Sequence, residues 1–234
     1  MAIYAIADLH LSFSEDKPMD IFGDNWENHA EKIKENWIKQ VKEEDYVILP
    51  GDFSWEMYLN NTKLDFQYLN GLPGTKILLK GNHDYWWTTL TKMNEFIKEN
   101  GFKNIYFLYN NSYLVEDKII VGTRGWNILD TENDSKMIKR ENARLELSIQ
   151  DGLKKYGSDK EIIVFMHYPP INKNDLMGGE KTEFVKTFQK YNIHRCFYGH
   201  LHGLSHKEAI EGLVNGIEYK LISADYLNFN LIKL

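Results

Sequence analysis

The sequence predicts a single α/β domain of 234 residues, on three observations. Short β-branched and aromatic runs alternate with segments whose apolar residues recur every three or four positions, a pattern that favours sheets covered by helices. No repeat, low-complexity tract or Pro/Gly/Ser linker divides residues 1–234. Strand–helix–strand units fill the first half, and the strands of the second half read as more hairpin-like.

The first strand is "IYAIA" (3–7). A helix follows, in which Trp26, Ala30, Ile33, Trp37 and Val41 share one face, with Asp24 and Glu27 at the spacing of a capping box. "YVILP" (46–50) and "KILLK" (76–80) are nearly continuous apolar runs, as expected of strands buried on both faces. "NIYFL" (104–108), "SYLVE" (112–116) and "KIIVG" (118–122) continue the series. A longer helix carries Ile138, Leu145, Ile149, Leu153 and Tyr156 after the cap-rich "DTENDS". "EIIVFM" (161–166), a helix marked by Phe184, Phe188 and Tyr191, "RCFYG" (195–199), "EYKLIS" (218–223) and "FNLIKL" (229–234) complete the reading.

Composition narrows the function. The hydrophobic fraction of 43% and charged fraction of 26% are those of a globular chain. Net charge is -6, and no block of Lys or Arg suggests an arm for long nucleic acid or an anionic membrane. Such a chain can still bind phosphate when metal ions supply the positive charge. The one cysteine, Cys196, sits in the apolar "RCFY", so no intramolecular disulfide is expected. An acid at position 8 speaks against a signal peptide, and no stretch reaches the roughly 18 apolar residues of a membrane span. The expected location is the cytoplasm.

The residues after the apolar runs carry the chemistry. "IYAIA" is followed by Asp8 and His10, "YVILP" by Gly51 and Asp52, and "KILLK" by Gly81, Asn82, His83 and Asp84. "EIIVFM" is followed by His167, and "RCFY" by Gly199, His200 and His202. A lone histidine after a strand is an ordinary turn residue; five such ends in one chain are not. Ligands of open α/β sheets gather at the carboxyl ends of strands. Imidazole with carboxylate suits Mn, Fe, Zn, Co or Ni, and the D-x-H and H-x-H spacings put both side chains on one side of an extended segment. Without cysteine ligands, a structural zinc knot is not expected, and open catalytic positions are.

D-x-H, G-D, G-N-H-D, H and G-H-x-H, in this order over residues 8 to 202, resemble the calcineurin-like metallophosphoesterase superfamily. The resemblance implies an α+β sandwich of two mixed sheets packed face to face and flanked by helices, with the metal site at the carboxyl ends of the strands. It implies two divalent ions: Asp8, His10 and His202 would hold one, Asn82, His167 and His200 the other, and Asp52 would bridge them. His83 resembles the non-ligand histidine that contacts phosphate and assists the leaving group, with Asp84 accepting one of its ring N–H groups. The implied reaction is hydrolysis of a small phosphoester by in-line attack of a metal-activated hydroxide, with phosphodiesters favoured over monoesters.

The second block reads "GDFSWEM" and lacks the arginine of the protein Ser/Thr phosphatases, which argues against that subgroup. Arg124, in the glycine-flanked "GTRGW", is a candidate phosphate clamp, and Trp126 a candidate substrate contact; a solvated or salt-bridged arginine is the plainer reading. Trp26, Trp55, Trp86, Trp87 and Trp126 lie near the motifs and read first as core, with an aromatic cleft wall as the alternative. His29 reads as a hydrogen-bonded edge histidine. Two rival functions are a nuclease for short oligonucleotides and a non-catalytic metal-binding scaffold for a protein partner. The first lacks a basic surface signal, and the second is disfavoured because every motif residue is present.

Overall fold

A computed structural model of the chain describes residues 1–15, 17–128, 132–171, 173–176 and 181–234. In chain order its strands are β1 (Ile3–Ala5), β2 (Tyr46–Pro50), β3 (Thr75–Leu79), β4 (Ile105–Phe107), β5 (Tyr113–Val115) and β6 (Lys118–Thr123). β7 (Glu161–Met166), β8 (Arg195–Tyr198), β9 (Gly212–Val214), β10 (Ile217–Leu221) and β11 (Ile232–Lys233) follow. The helices are α1 (His29–Gln40), α2 (Lys63–Asn70), α3 (Leu90–Glu99), α4 (Glu132–Tyr156), the four-residue α5 (Lys173–Leu176) and α6 (Glu183–Lys190).

The strands form two mixed sheets. One has the order β11-β1-β2-β3-β4, the other β5-β6-β7-β8-β10-β9. Within the first, β1 to β4 run parallel and β11 returns antiparallel to β1. Within the second, β6, β7, β8 and β10 are parallel, and only the outer strands β5 and β9 are antiparallel to their neighbours.

Side-chain alternation builds the layers. In β2 and β3, Ile48, Ile77 and Leu79 face the second sheet, where Ile120, Ile163, Phe165 and Phe197 meet them in one buried cluster. The opposite faces, with Val47, Leu49 and Leu78, pack under Ile33, Trp37, Phe66 and Met93 of α1, α2 and α3. On the far side, Val121, Val164 and Met166 pack under Leu145 and Ile149 of α4 and Phe184 and Phe188 of α6. Both sheets are thus buried on two faces, at about 1.5–3 kcal/mol for each large side chain removed from water.

The structure corrects several expectations. The hairpin-like second half is a parallel sheet with hairpins at its rims only. "FNLIKL" contributes just Ile232–Lys233, because Asn228 and Phe229 adopt left-handed backbone with φ of 49° and 59°. Trp26 belongs to a short 3-10 turn rather than to α1. The left-handed Asn28 (φ 52°) separates them, and neither helix start has a side-chain cap, so Asp24 and Glu27 form no capping box. Of "DTENDS", Asp130 and Thr131 lie outside the described residues, and α4 begins at Glu132. α2, α3, α5 and β9 add to the elements read from the sequence. No described helix is long and apolar enough to cross a membrane.

Candidate metal centre

All the strands that carry motif residues end on the same rim. Asp8 follows β1, Asp52 follows β2, and Asn82 follows β3, from the first sheet. His167 follows β7, and His200 and His202 follow β8, from the second. The centre therefore straddles the seam between the sheets. Two glycines allow the approach: a Cβ at Gly81 would overlap Asp52 Oδ1, and one at Gly199 would overlap Asp8 Oδ2. Asp8, His10, Asp52 and His200 all adopt left-handed backbone, with φ of 62°, 47°, 52° and 73°. For residues other than glycine such conformations persist only where the surroundings enforce them, and they concentrate at functional sites. Here backbone hydrogen bonds do so: the N–H of Asp8 donates to Gly51 (3.0 Å) and that of His10 to Asp52 (2.9 Å). The His200 N–H donates to Asp8 Oδ2 (3.0 Å).

Two groups of donor atoms meet at Asp8. One comprises Asp8, His10 and His202; the other comprises Asp8, Asp52 and His167, and within each group the ligand atoms lie within 4.8 Å of one another. His202 Nε2 is 3.3 Å from His10 Nε2 and 3.6 Å from Asp8 Oδ1. His167 Nε2 lies 3.5 Å from Asp52 Oδ2 and 2.6 Å from Asn82 Oδ1, which is 2.8 Å from His200 Nδ1. The far nitrogens are engaged. His167 Nδ1 donates to the Pro50 carbonyl at 3.2 Å, and His202 Nδ1 donates to Asp225 at 2.9 Å. Each arrangement turns Nε2 inward with its lone pair, as metal-ligating histidines require.

The electrostatics call for a cation. Burial raises the Asp8 carboxyl, but His202, His167 and His10 outweigh it and hold the group below its ordinary value. Burial, with the Asp8 charge, pushes Asp52 well up. Burial lowers His10, His167 and His200, the last to about 3. His202 goes the other way: burial opposes its charge, yet Asp8 and Asp225 raise it to about 10. With protein groups alone, a proton on His202 stands where the carboxylates demand positive charge. Asp8 Oδ1 is buried with no hydrogen-bond donor among the described residues. The oxygen and imidazole donors therefore fit divalent ions of the borderline class.

A model of the calcineurin-like phosphoesterase family matches residues 1–204. The chain belongs to the calcineurin-like phosphoesterase family. Its membership and its Asp/His groups make it a metal-dependent phosphoesterase. No curated protein matches it. Among solved structures, this phosphoesterase resembles a protein of unknown function from Aquifex aeolicus at 21% identity, covering 99% of this chain and 95% of that one, with a TM-score of 0.52. It resembles the phosphopantetheinyl hydrolase of Mycobacterium tuberculosis at 13% identity, 100% and 95% coverage and a TM-score of 0.56. A Thermus thermophilus protein gives 10% identity, 99% and 97% coverage and a TM-score of 0.59. At these identities the likeness is one of fold.

Within the phosphoesterase site, Asp84 departs from expectation. It does not accept from the His83 ring. One oxygen accepts from the backbone N–H of Gly81 (2.7 Å) and Asp52 (2.9 Å), the other from Phe53 (2.9 Å), Ser54 (3.2 Å) and the Trp86 indole (3.0 Å). Asp84 thus staples the loop after β2 to the loop after β3. His83 is held otherwise: its backbone N–H donates to Asp52 Oδ1 (2.8 Å), and its ring packs 4.2 Å from Trp55. His83 Nδ1 has no hydrogen-bond partner among the described residues.

The aromatic residues divide. Trp86 and Trp87 are buried core. Trp26 is also buried, 5.9 Å from the His10 ring and 5.6 Å from that of His202, with His29 5.5 Å behind it and outside the cluster. Half-buried Trp55 stacks 4.8 Å from His10 and forms a wall of the site. Arg124 lies 4.6 Å over the Trp126 ring, beside the centre rather than in it.

Two neighbours escaped the sequence reading. Asp225 accepts from His202 Nδ1 and from the Gly203 N–H (3.0 Å) and lies 3.1 Å from His206 Nε2. It follows β10, so the strand-end rule applied to "EYKLIS" would have reached it. Tyr168, whose ring is 4.2 Å from that of His200, follows the motif His167 directly.

Proposed function

We propose that this chain is a dinuclear-metal-dependent hydrolase of small phosphoesters, with phosphodiesters favoured over monoesters. The supporting observation is the pair of donor groups that share Asp8 at the seam of the sheets. Asp8, His10 and His202 would hold one ion and Asn82, His167 and His200 the other, with Asp52 between them. When bound, divalent ions supply Lewis acidity and a hydroxide at neutral pH.

The residues around the ions have separable tasks. Asp225 fixes the His202 tautomer, and the Pro50 carbonyl fixes that of His167. Trp55 and Trp26 pack against the histidine rings and exclude water from one side. His83 is lowered by burial and then by His167, and an anion beside it favours its second ring proton. Facing a bound phosphoester, it donates to phosphate or to the leaving oxygen.

Preference for diesters is supported by clefts on two flanks. An apolar groove of about 460 Å³, lined by Met19, Phe22, Trp55, Met57 and Tyr85, opens beside His83. A cavity of about 380 Å³ opens at Arg124. A diester has a substituent for each. The test is elemental analysis of the purified protein together with hydrolysis of bis(p-nitrophenyl) phosphate and p-nitrophenyl phosphate. Two equivalents of metal and a higher kcat/KM for the diester are expected. Activity that survives exhaustive metal removal would falsify the metal-dependent reading, and a higher kcat/KM for the monoester would reverse the substrate preference.

A further inference from the structure

The cavity at Arg124 has a charge that the hydrolytic centre does not explain. β6 and β7 run parallel with Thr123 opposite Met166, so the next residues, Arg124 and His167, leave neighbouring strands side by side. On the first sheet, Lys80 leaves β3 two positions before Asn82. Arg140 and Arg144 reach the same cavity from α4. Among its described lining residues there is one carboxylate, Glu141, against these four cations, a formal surplus of 4 − 1 = +3.

Glu141 is already shared. Its Oε1 lies 3.9 Å from Arg124, 3.8 Å from Arg140 and 3.5 Å from Arg144, and its Oε2 accepts from Thr123 Oγ1 at 2.8 Å. Two of the arginines are also oriented by what they pack on. Arg124 lies over Trp126, and Arg144 lies 5.1 Å over Tyr109 with Nη1 3.4 Å from Asn110 Oδ1. On the same wall, the indole N–H of buried Trp87 has no acceptor among the described residues. Oriented guanidinium groups, surplus positive charge and an unused donor describe an anion site. A phosphoryl group, at about −1.5 to −2, matches that surplus better than a single carboxylate does.

Tyr168 links the cavity's Arg124 to the metal centre. The Tyr168 N–H donates to the Arg124 carbonyl at 2.9 Å, and the Tyr168 ring lies 4.2 Å from that of His200. The geometry points to a subsite where Lys80, Arg124, Arg140 and Arg144 receive a terminal phosphoryl group on the same molecule whose ester is cleaved at the metal centre. The substrate is then a phosphodiester that carries a further phosphate. This rests on the hydrolase reading above.

The test compares a p-nitrophenyl nucleoside phosphodiester with and without a terminal phosphate on its ribose, using manganese-loaded protein. The added phosphate is expected to raise kcat/KM by about tenfold or more. Arg140→Gln/Arg144→Gln should bring the ratio of the two substrates close to one, and Arg140→Lys/Arg144→Lys should retain most of the preference. A wild-type ratio of one, or an unchanged ratio in the Gln variant, overturns the subsite and leaves the hydrolase standing. Calorimetric binding of inorganic pyrophosphate reads the subsite without turnover. The Gln variant should bind about tenfold more weakly than wild type, and equal affinity overturns the proposal. If neither ester is cleaved with any divalent ion, the hydrolase reading fails and the calorimetry alone decides the subsite.

Discussion

Two carboxylates near the centre have different work, and substitution separates them. Asp84 satisfies four backbone N–H groups and one indole, all in a buried loop pair. Asp84→Ala strands these donors and should destabilise the protein by about 4 kcal/mol or more, measured by urea unfolding. Had Asp84 merely oriented His83, turnover alone would fall. His83→Ala should do the reverse, lowering kcat by about 10²–10⁴ with metal content and unfolding midpoint near wild type. Asp225 contacts the centre through His202 and the adjoining turn. Asp225→Asn should weaken metal binding by about 10–100-fold in a chelator-buffered titration, because the histidine loses its anionic partner. Unchanged affinity would show that the turn suffices to hold His202, whose backbone N–H donates to Ser205 Oγ at 2.9 Å.

At the scale of the element, the strand ends were legible because two signals coincide in them: a short apolar run and a polar residue that such a run does not need. β2, β3 and β7 have both, and each carries its motif residue, Asp52, Asn82 or His167, to the common rim. β10 delivers Asp225 only after Ser223 and Ala224, so its signal was diluted by two small residues. The helix starts were less legible. A capping-box spacing at Asp24 and Glu27 has no effect once Asn28 turns left-handed, a choice made by tertiary packing around Trp26 and Phe229. Strand pairing was not legible either: nothing local tells β8 to pair with β10 in parallel across the β9 hairpin. β3 also carries a testable oddity in Lys76, which is buried and donates to the Leu72 carbonyl. Burial lowers it from 10.5 to about 8, with Glu43 opposing. The unfolded chain then binds more protons between these values, so stability should rise as pH climbs from about 8 to 10.5. Urea unfolding across that range should show the rise in wild type and its loss in Lys76→Met.

For the whole molecule, the decisive fact is that each sheet supplies part of the candidate ligand set: Asp8, His10, Asp52 and Asn82 come from one, His167, His200 and His202 from the other. An ion bound there ties the sheets together and is absent from the unfolded chain's balance. Free metal at a hundred times its dissociation constant should stabilise the fold by about 2.7 kcal/mol for each independent site, read as a rise in Tm that a chelator reverses. A Tm indifferent to metal would place the ions elsewhere. The shared centre also makes the ions a gauge of sheet registration. Donor atoms 3 to 4 Å apart across the seam tolerate little sliding, while the layer beneath them is apolar and packed through Ile163 and Phe165. Trimming that layer, as in Phe165→Leu, should therefore change the visible spectrum of a cobalt-loaded protein although no ligand has been touched. Colour would then report, from the rim, how one sheet lies upon the other.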